Sequence, residues 1–366
     1  MQLQCDRSSL LSAITTAAHA VASRGSGTDP ATMLLSLGSG KLSVTASDQD
    51  LAITAVVDVG GGSDGSVLVP GKLLSDIVKA LPDGEVLLAG DGDDVRIELG
   101  KSKFAVRCYK EPEPRPAELP GGQGVHIPAA GLASALKQVI GAASSDGTRP
   151  VLTGVLIEAK EDGTRFVATD SYRLAVRDLA GASGMLPVGS SAIVPARAMR
   201  ELERLASGSG EVSLLIEDRA VTFAAGQVTV SSRLIEGSFP AYSQLLPKSF
   251  TGKLTVVRAE LRDAVRRVRL VARDSTTPVR LGLADGSLSV GVATSDWGTA
   301  SEEIDASYDG AETAVAFNPV YLLDGLEAAG GADDVVLSVN GAVKPATLTV
   351  PGGDEFCYLI MPVRTA

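Results

Sequence analysis

Val194–Leu205 reads VPARAMRELERL and predicts a strand that ends in Val-Pro and passes directly into a helix of about three turns. We expect Pro195 to stand at the first helical position, where a missing N–H costs nothing. The same order of strand, proline and helix recurs upstream at Val69–Leu81 and downstream at Asn318–Glu327. The prolines of the three copies lie 125 and 124 residues apart, so one unit fills the 366 residues three times.

A second landmark repeats with a similar period. Three strand patterns end at Asp48, Asp170 and Asp296, which are 122 and 126 residues apart. A period of this size is too long for a solenoid repeat, so each copy is expected to be a domain. The predicted fold class is α+β, with two helices and about eight antiparallel strands in each domain. We place the three domains at residues 1–121, 122–248 and 249–366.

The predicted helices come in pairs, and each predicted domain contains one pair. Apolar residues recur at helical spacing in all six segments. The segments begin at about Ser8 and continue at Lys72–Leu81, 129–141, Arg197–Ala206, Ala259–Ala272 and Pro319–Ala328.

Composition excludes several classes of protein. No apolar run approaches the roughly 18 residues of a membrane span, and residues 1–21 lack the basic start and cleavage site of a signal peptide. Three cysteines lie far apart, as expected for reduced thiols in the cytoplasm. The two histidines, His19 and His126, stand in unrelated settings and give no metal site. We expect a cytoplasmic protein without a metal or another cofactor.

The sequence also lacks the pattern of an enzyme. No nucleophile, base and orienting group can be assembled from two unrelated histidines. The glycines at 60–62 follow a strand but lack the Lys-Ser/Thr of a phosphate-binding loop. The aspartates of the second landmark recur once per domain, as a structural turn residue would. We therefore expect no catalytic residues.

The charge is distributed unevenly along the chain. A net charge of −11 by itself argues against nucleic acid as a partner. The six predicted helices together carry +5, however, which leaves −16 for the rest, and the helix at 258–273 alone has six arginines against two acidic residues. One interpretation is that these arginines are merely the solvated faces of amphipathic helices. With the triplication, we favour basic faces gathered on one surface that contacts phosphates without reading bases.

Three segments carry a resemblance to a known family. They are Ala168–Val176 (ATDSYRLAV), Glu236–Tyr242 (EGSFPAY) with Leu245–Pro247, and Tyr358–Arg364 (YLIMPVR). In this order, on a triplicated frame, they resemble the bacterial DNA polymerase III beta subunit, the sliding clamp. The resemblance implies a head-to-tail homodimeric ring around duplex DNA, with helices inside and sheets outside, which tethers the replicative polymerase. The implied partners are duplex DNA of any sequence, the DNA polymerase III alpha subunit, the clamp loader, other proteins with clamp-binding motifs and a second copy of the chain, but no membrane.

The resemblance also implies three sets of site residues, carried over position by position. A pocket for partner peptides, between domains 2 and 3, would consist of Leu152, Thr169, Ser171, Tyr172, Arg173, Leu174, Pro240, Leu245, Met361, Pro362, Val363 and Arg364. The residues expected to face DNA are Arg24, Lys72, Lys79, Lys137, Arg197, Arg200, Arg204, Arg262, Arg266 and Arg269. The dimer interface would use Lys103, Phe104 and Arg107 of one subunit against Leu270, Val271, Glu302 and Glu303 of the other.

Several positions depart from the family pattern. Familiar members have Gly-His where this chain has Ser171 and Tyr172, and the larger tyrosine is expected to narrow or reshape the pocket. Gln244 replaces a residue that is often basic, the loop 23–30 lacks the usual Arg-Pro pattern, and the helix 319–329 is acidic. These departures leave an alternative open: a diverged second copy, acting as an inhibitor-resistant or decoy peptide-binding adaptor and so linked to antibiotic resistance. A stable dimer near twice 37.4 kDa would favour the clamp.

Overall fold

The computed structural model describes residues 1–21, 31–90, 92–111, 113–117, 124–272, 274, 277–294 and 297–364. Within these residues the chain folds as helices and antiparallel strands, as the sequence predicts. Their close contacts divide the chain into two compact units. Unit 1 consists of Met1–Ala130 and Arg204–Leu234, and unit 2 consists of Gly131–Glu203 and Ile235–Ala366.

The helices lie within a few residues of their predicted positions. They are α1 (Arg7–Ala18), α2 (Gly71–Ala80), α3 (Ala129–Val139), α4 (Ala196–Ser207), α5 (Arg258–Val268) and α6 (Pro319–Ala328). The predicted helix 259–272 is shorter than expected, because a 3-10 turn at Arg269–Val271 follows α5. The expectation for Pro195 was wrong, since it is the last residue of a strand. Pro70 likewise precedes its helix, and Pro319 is a first helical residue.

The strands account for most of the remaining described chain. In the first repeat they are β1 (Gln2–Asp6), β2 (Thr32–Gly38), β3 (Lys41–Ser47), β4 (Leu51–Asp58), β5 (Gly60–Ser63), β6 (Gly65–Pro70), β7 (Glu85–Gly90), β8 (Asp94–Leu99) and β9 (Ser102–Arg107). In the second they are β10 (Val125–Pro128), β11 (Gly154–Ala159), β12 (Gly163–Thr169), β13 (Arg173–Ala180), β14 (Ser191–Pro195), β15 (Glu211–Ile216), β16 (Ala220–Ala225) and β17 (Val228–Arg233). In the third they are β18 (Gly252–Val257), β19 (Val279–Ala284), β20 (Ser287–Thr294), β21 (Gly298–Gly310), β22 (Thr313–Phe317), β23 (Asp334–Val339), β24 (Ala346–Val350) and β25 (Gly353–Ile360).

Unit 1 contains two antiparallel sheets. One has the order β5-β1-β7-β8-β9, and the other has the order β10-β15-β16-β17-β4-β3-β2-β6. Helix α1 packs on β3, β4 and α2 and buries Leu10 and Ile14 completely. Strand β5 was not predicted, because its glycines resemble a loop. Gly62 is required there, since its φ is +150° and a Cβ would lie 2.1 Å from the carbonyl oxygen of Gln2.

Unit 2 is built on one long antiparallel sheet. Its order is β14-β11-β12-β13-β25-β24-β23-β18-β21-β20-β19-β22. Helix α5 packs against α6, β18, β20 and β21, and it buries Leu261 and Val265. The largest fully buried side chains of this unit include Phe166, Phe317 and Tyr358. No helix in the described ranges is both long and apolar enough to span a membrane.

The second repeat contributes strands to both units. Its strand β17 pairs with β4 of the first repeat, with Val230 opposite Ile53. Its strand β13 pairs with β25 of the third repeat, with Val176 opposite Cys357. Backbone hydrogen bonds therefore continue the eight-stranded and the twelve-stranded sheet from one repeat into the next, which is why the compact units do not coincide with the repeats.

Short polar side chains fix the turns and helix starts. Asp6 Oδ1 accepts from the N–H groups of Ser8 and Ser9 at 2.9 and 3.0 Å and so caps α1. Asp48 and Asp170 each accept from the backbone two and three residues ahead, which closes the turn after their strands. These two aspartates are turn residues, as their repetition predicts, whereas Asp296 lies outside the described residues.

Candidate functional site

Two of the three resembling segments meet where β13 pairs with β25. Leu174 stands opposite Leu359 in the antiparallel register. Beyond the end of the ladder, the N–H of Met361 donates to the carbonyl oxygen of Tyr172 at 2.9 Å. The chain therefore places the residues after Thr169 beside the residues after Ile360, although about 190 positions separate them in the sequence.

The third segment packs on the apolar core beneath this seam. The core cluster consists of Leu156, Val167, Leu174, Val176, Ile193, Tyr242 and Leu359. Phe239 and Leu246 are partly buried against it. Leu152 is buried too, and its neighbour Val151 packs on the cluster. Of the predicted pocket residues, Leu152 and Leu174 thus belong to the interior rather than to an open surface.

Tyr242 anchors the segment that carries Pro240 and Leu245. Its hydroxyl donates to Glu158 Oε2 at 2.5 Å, and its ring meets that of Phe239 edge-on at a centroid distance of 6.4 Å. Burial and the Glu158 carboxylate raise the pKa of Tyr242 to about 12. The phenol therefore keeps its proton at neutral pH and holds the segment in place.

Three exposed apolar side chains lie next to this core cluster in the chain. Tyr172 is 59% exposed, Leu245 is 53% exposed and Met361 is 38% exposed. Leu245 precedes Leu246, which packs on the cluster, and Met361 is hydrogen-bonded to Tyr172. Large apolar side chains that stay exposed around one core are typical of a surface that binds another molecule. We call Tyr172, Leu245 and Met361 the apolar rim.

Arg173 lies inside the protein rather than in the rim. Its residue is 9% exposed, and its guanidinium donates to Asp170 at 3.0 Å and to Asp324 of α6. It also lies over the ring of Tyr321, 4.6 Å from the centroid. Burial opposes its charge, but the neighbouring Tyr358 and Asp324 leave its pKa raised. Arg173, which was predicted to line the peptide pocket, is buried and links the β12–β13 turn to α6.

Tyr172 extends from the same turn toward α6. Its ring stacks on that of Tyr321, with centroids 6.2 Å apart and an angle of 22° between the planes. The stacked pair thus joins the β12–β13 turn to α6, and the expectation that Tyr172 narrows or reshapes a peptide pocket stays a prediction. Tyr321 and Asp324 were not predicted as site residues. The i, i+3 spacing on one helix was the only sequence signal for them.

Ser171 occupies a strained backbone conformation in this turn. Its φ is +81°, in the left-handed region that favours glycine. Its hydroxyl accepts from Arg149 Nη1 at 2.9 Å, and Arg149 also donates to Asp146 at 3.0 Å. The side chain that replaces the family's glycine is thus held by one exposed hydrogen bond.

We predict that Ser171→Gly raises the free energy of unfolding by about 0.5–1 kcal/mol, because relief of the left-handed strain outweighs the exposed hydrogen bond. Urea unfolding measures this change. Ser171→Ala is the control, since it keeps the strain and loses the hydrogen bond, and it should destabilise. Ser39→Gly is a matched variant at φ +53°. If Ser171→Gly is less stable than the wild type, the hydrogen bond to Arg149 outweighs the strain.

A cavity lies beside the C-terminal segment. It has a volume of about 410 Å³ and is lined by Arg280, Ala314, Val315, Ala316, Ala342, Val343, Val363 and Arg364. The N–H of Val363 donates to Ala316 on the edge strand β22 at 2.7 Å. Val363 and Arg364, which were predicted as pocket residues, therefore line this cavity. The other six lining residues were not predicted as site residues. Only the long-range pairing of the C-terminal segment with β22 brings them together.

The residues predicted to face DNA have different surroundings. Lys72, Lys79, Lys137, Arg200 and Arg204 are exposed, and Arg197 and Arg269 are half-buried. Arg24 lies outside the described residues. In α5, Arg262 donates to Asp263 at 2.8 Å and Arg266 donates to Glu327 at 2.7 Å. The carboxylates of Asp263 and Glu327 therefore reduce the positive field that the sequence assigned to α5.

The apolar residues predicted for the dimer interface are accessible. Phe104 on the edge strand β9 is 39% exposed, and Leu270 in the 3-10 turn after α5 is 80% exposed. Val271 beside it is half-buried. Phe104 is therefore not an ordinary core residue, although it stands opposite the buried Ile97.

The charged residues predicted for the interface already have partners within the chain. Lys103 lies 3.3 Å from Glu98, and Arg107 lies 3.4 Å from Asp94. Glu302 accepts two hydrogen bonds from Arg267, at 2.7 and 2.6 Å, and Glu303 accepts one from Ser287 at 2.5 Å. Exposed pairs of this kind are worth about 0–1 kcal/mol each, so they can exchange partners at little cost.

Within the described ranges, no three histidine, cysteine, aspartate or glutamate side chains are close enough to hold a metal ion. The apolar rim offers three large exposed side chains, and the edge strand β22 beside the cavity carries backbone hydrogen-bonding groups. Such a surface suits an extended peptide better than a small polar substrate.

The helices and strands define a protein of three α+β repeats, with an apolar rim at the seam between the second and third repeats. Family models of the DNA polymerase III beta subunit match its N-terminal domain at residues 1–113, its central domain at 126–241 and its C-terminal domain at 243–364. The chain belongs to this family, the bacterial beta sliding clamps. The fold class and the resemblance stated from the sequence are therefore confirmed.

Individual relatives match over the full length. The chain is 34% identical to the beta sliding clamp of Synechocystis sp. over 391 aligned residues, covering 100% of this chain and 99% of that protein. It is 33% identical to the beta sliding clamp of Streptomyces coelicolor over 378 residues, again covering 100% and 99%. The crystal structure of the Bartonella birtlesii sliding clamp bound to griselimycin matches with a TM-score of 0.90 and 31% identity over 100% of both chains. The Bacillus subtilis DNA polymerase sliding clamp matches with a TM-score of 0.89 and 26% identity over 100% of both.

Proposed function

We propose that this protein is a DNA sliding clamp that raises the processivity of a bacterial replicative polymerase and has no catalytic site of its own. Two copies join head to tail into a ring around duplex DNA, in the cytoplasm where bacterial DNA is replicated. The observation that carries the proposal is the full-length family membership together with an apolar rim at the seam of β13 and β25. The proposed domains remain 1–121, 122–248 and 249–366.

The apolar rim is proposed to bind short peptides of the polymerase alpha subunit, the clamp loader and other proteins with clamp-binding motifs. Tyr172, Leu245 and Met361 supply apolar surface for a leucine or phenylalanine anchor. The cavity beside Val363, next to the edge strand β22, is proposed to accommodate a further part of the peptide. Arg173 takes part indirectly, because it holds the turn and α6 together.

Attraction to DNA is proposed to be weak and independent of sequence. Exposed lysines and arginines on the helices contact phosphates, while Asp263 and Glu327 limit the field of α5. A ring needs no tight DNA contact, because topology prevents its loss. A weaker field also lowers the barrier to sliding.

Retention on circular DNA tests the proposal. The protein is loaded on nicked circular duplex DNA by a bacterial clamp loader with ATP, and bound protein is separated from free protein by gel filtration. A clamp stays on the circle in high salt and leaves when the DNA is linearised. Equal loss from circular and linear DNA, or a monomer in sedimentation at every concentration, would contradict a ring.

The peptide site makes a separate prediction. Replacing Leu245 and Met361 together with serine is expected to weaken binding of a peptide from a bacterial polymerase alpha subunit by about 10- to 100-fold, because two exposed apolar anchors are lost. Fluorescence anisotropy of the labelled peptide measures the affinity. Val188→Ser is the matched control, since Val188 is 65% exposed and its neighbour Gly189 donates to Ala159, at the end of β11 opposite to Leu152. Unchanged affinity in the double variant would place the peptide elsewhere.

A further inference from the structure

The single tryptophan of the chain stands exposed at the tip of the β20–β21 hairpin. Trp297 is 68% exposed. Its backbone N–H donates to Thr294 Oγ1 at 3.3 Å, and Thr294 Oγ1 donates to the carbonyl oxygen of Gly298 at 3.1 Å. These hydrogen bonds hold the backbone at Trp297, while its side chain stays largely exposed. A large aromatic side chain held in this way is typical of an interface anchor.

The residue after Trp297 lies beside a turn that carries further apolar side chains. The 3-10 turn Arg269–Val271 packs against β20 and β21, and a Cβ on Gly298 would lie 4.0 Å from Val271 Cγ1. Leu270 in this turn is the most exposed large apolar residue of the described chain, at 80%. We call Leu270, Val271 and Trp297 the tryptophan patch.

An unpaired strand edge begins directly after Trp297. Strand β21 pairs with β20 from Gly298 to Asp305, whereas β18 pairs with it only from Ala306 to Gly310. The first half of β21 thus has a ladder partner on one side only among the described strands. An edge of this length is a template for another strand.

The charge of the β21 edge indicates which kind of strand can pair with it. The β21 edge carries Glu302, Glu303 and Asp305, so it repels DNA phosphate and attracts a basic strand. Strand β9 has the complementary character, with Lys103 and Arg107 on a strand that is paired only with β8 in its sheet. Lys103, Phe104 and Ala105 in its middle are all exposed. A second copy of this chain therefore supplies the matching strand.

We propose that Trp297 is an anchor of the contact between two copies, buried beside Leu270 and Val271 when β9 of the second copy occupies the β21 edge. The proposal rests on the proposed function, because it assumes the head-to-tail dimer. It adds a residue that the sequence-based interface did not contain. It also makes the indole an intrinsic reporter of dimer formation, since no other tryptophan contributes to the emission.

The test compares the full-length wild type with Phe104→Asp, which is designed to be monomeric. Trp297 emission and its quenching by acrylamide are measured on both, with sedimentation velocity in parallel. The wild-type dimer should emit at shorter wavelength and resist quenching, and Phe104→Asp should show an exposed indole. Trp297→Ala should raise the dimer dissociation constant by about 30-fold, and Trp297→Phe by much less. Val188→Ala is the control and should leave dimerisation unchanged.

The outcomes separate this inference from the proposed function. A wild-type dimer whose indole is quenched as readily as that of the monomeric variant would overturn the role of Trp297 and leave the clamp intact. Unchanged dimerisation of Trp297→Ala would overturn it as well. A wild type that stays monomeric at all concentrations would contradict the clamp itself, and the inference would fail with it.

Discussion

Replacing Arg173 with methionine is expected to lower the free energy of unfolding by about 3–5 kcal/mol, as the loss of one partner of a buried ion pair does. The methionine fills the space of the aliphatic stem but leaves the carboxylate of Asp170 without its counter-charge. The side chain of Asp170 is only 11% exposed, so water cannot compensate. Asp324, at 42% exposed, can be resolvated and contributes less. Urea unfolding followed by circular dichroism measures the change.

A second substitution distinguishes the cost of the unpaired Asp170 charge from the cost of the packing that Arg173→Met loses. Asp170→Asn keeps the oxygen that accepts from the N–H groups of Tyr172 and Arg173 but removes the charge. Added to Arg173→Met, it should therefore recover about 1–2 kcal/mol. Peptide affinity should fall in Arg173→Met even where the protein remains folded, because the turn and α6 lose their brace. A single variant that costs less than about 1 kcal/mol would show that Asp170 is effectively solvated.

Replacing Phe104 with aspartate is expected to weaken the dimer by about 100-fold or more and to abolish retention on circular DNA. The change removes an exposed aromatic ring from the β9 edge. It also sets a carboxylate against the acidic β21 edge of the second copy, where like charges repel. Because Phe104 is 39% exposed, the monomer should lose little stability. Sedimentation equilibrium and the circular DNA assay measure the two effects.

Two control variants test whether the weaker dimer results specifically from the new charge at Phe104. Phe104→Leu keeps an apolar side chain and should weaken the dimer only slightly. Val188→Asp places the same new charge on an exposed loop and should leave both the dimer and retention on DNA unchanged. If Phe104→Asp dimerises as tightly as the wild type, β9 is not the contact strand. The copies would then have to meet through another surface.

Local signals in the sequence were sufficient for the secondary structure and the turns. Hydrophobic period, prolines and glycines predicted six helices close to their observed bounds, and the repeated aspartates predicted the turns at Asp48 and Asp170. These features depend on residues within a few positions of one another. Strand β5 was missed because its glycines have no strand propensity, and only its partner β1 makes it a strand.

The sequence by itself therefore determined the triplication, the fold class and the three segments that carry the candidate peptide site. The tertiary structure decided what those residues contact. Arg173 donates a hydrogen bond to Asp324, which is 151 residues away in the sequence. Arg266 donates to Glu327, 61 residues away, and Arg267 donates to Glu302, 35 residues away. The hydrophobic period indicates which face of a helix or strand is apolar. An ion pair between two elements, however, forms only where tertiary packing brings those elements together. For that reason the sequence did not reveal that Arg173, predicted for the peptide pocket, is buried against Asp324. It also did not reveal that Arg266, predicted to face DNA, is paired with Glu327.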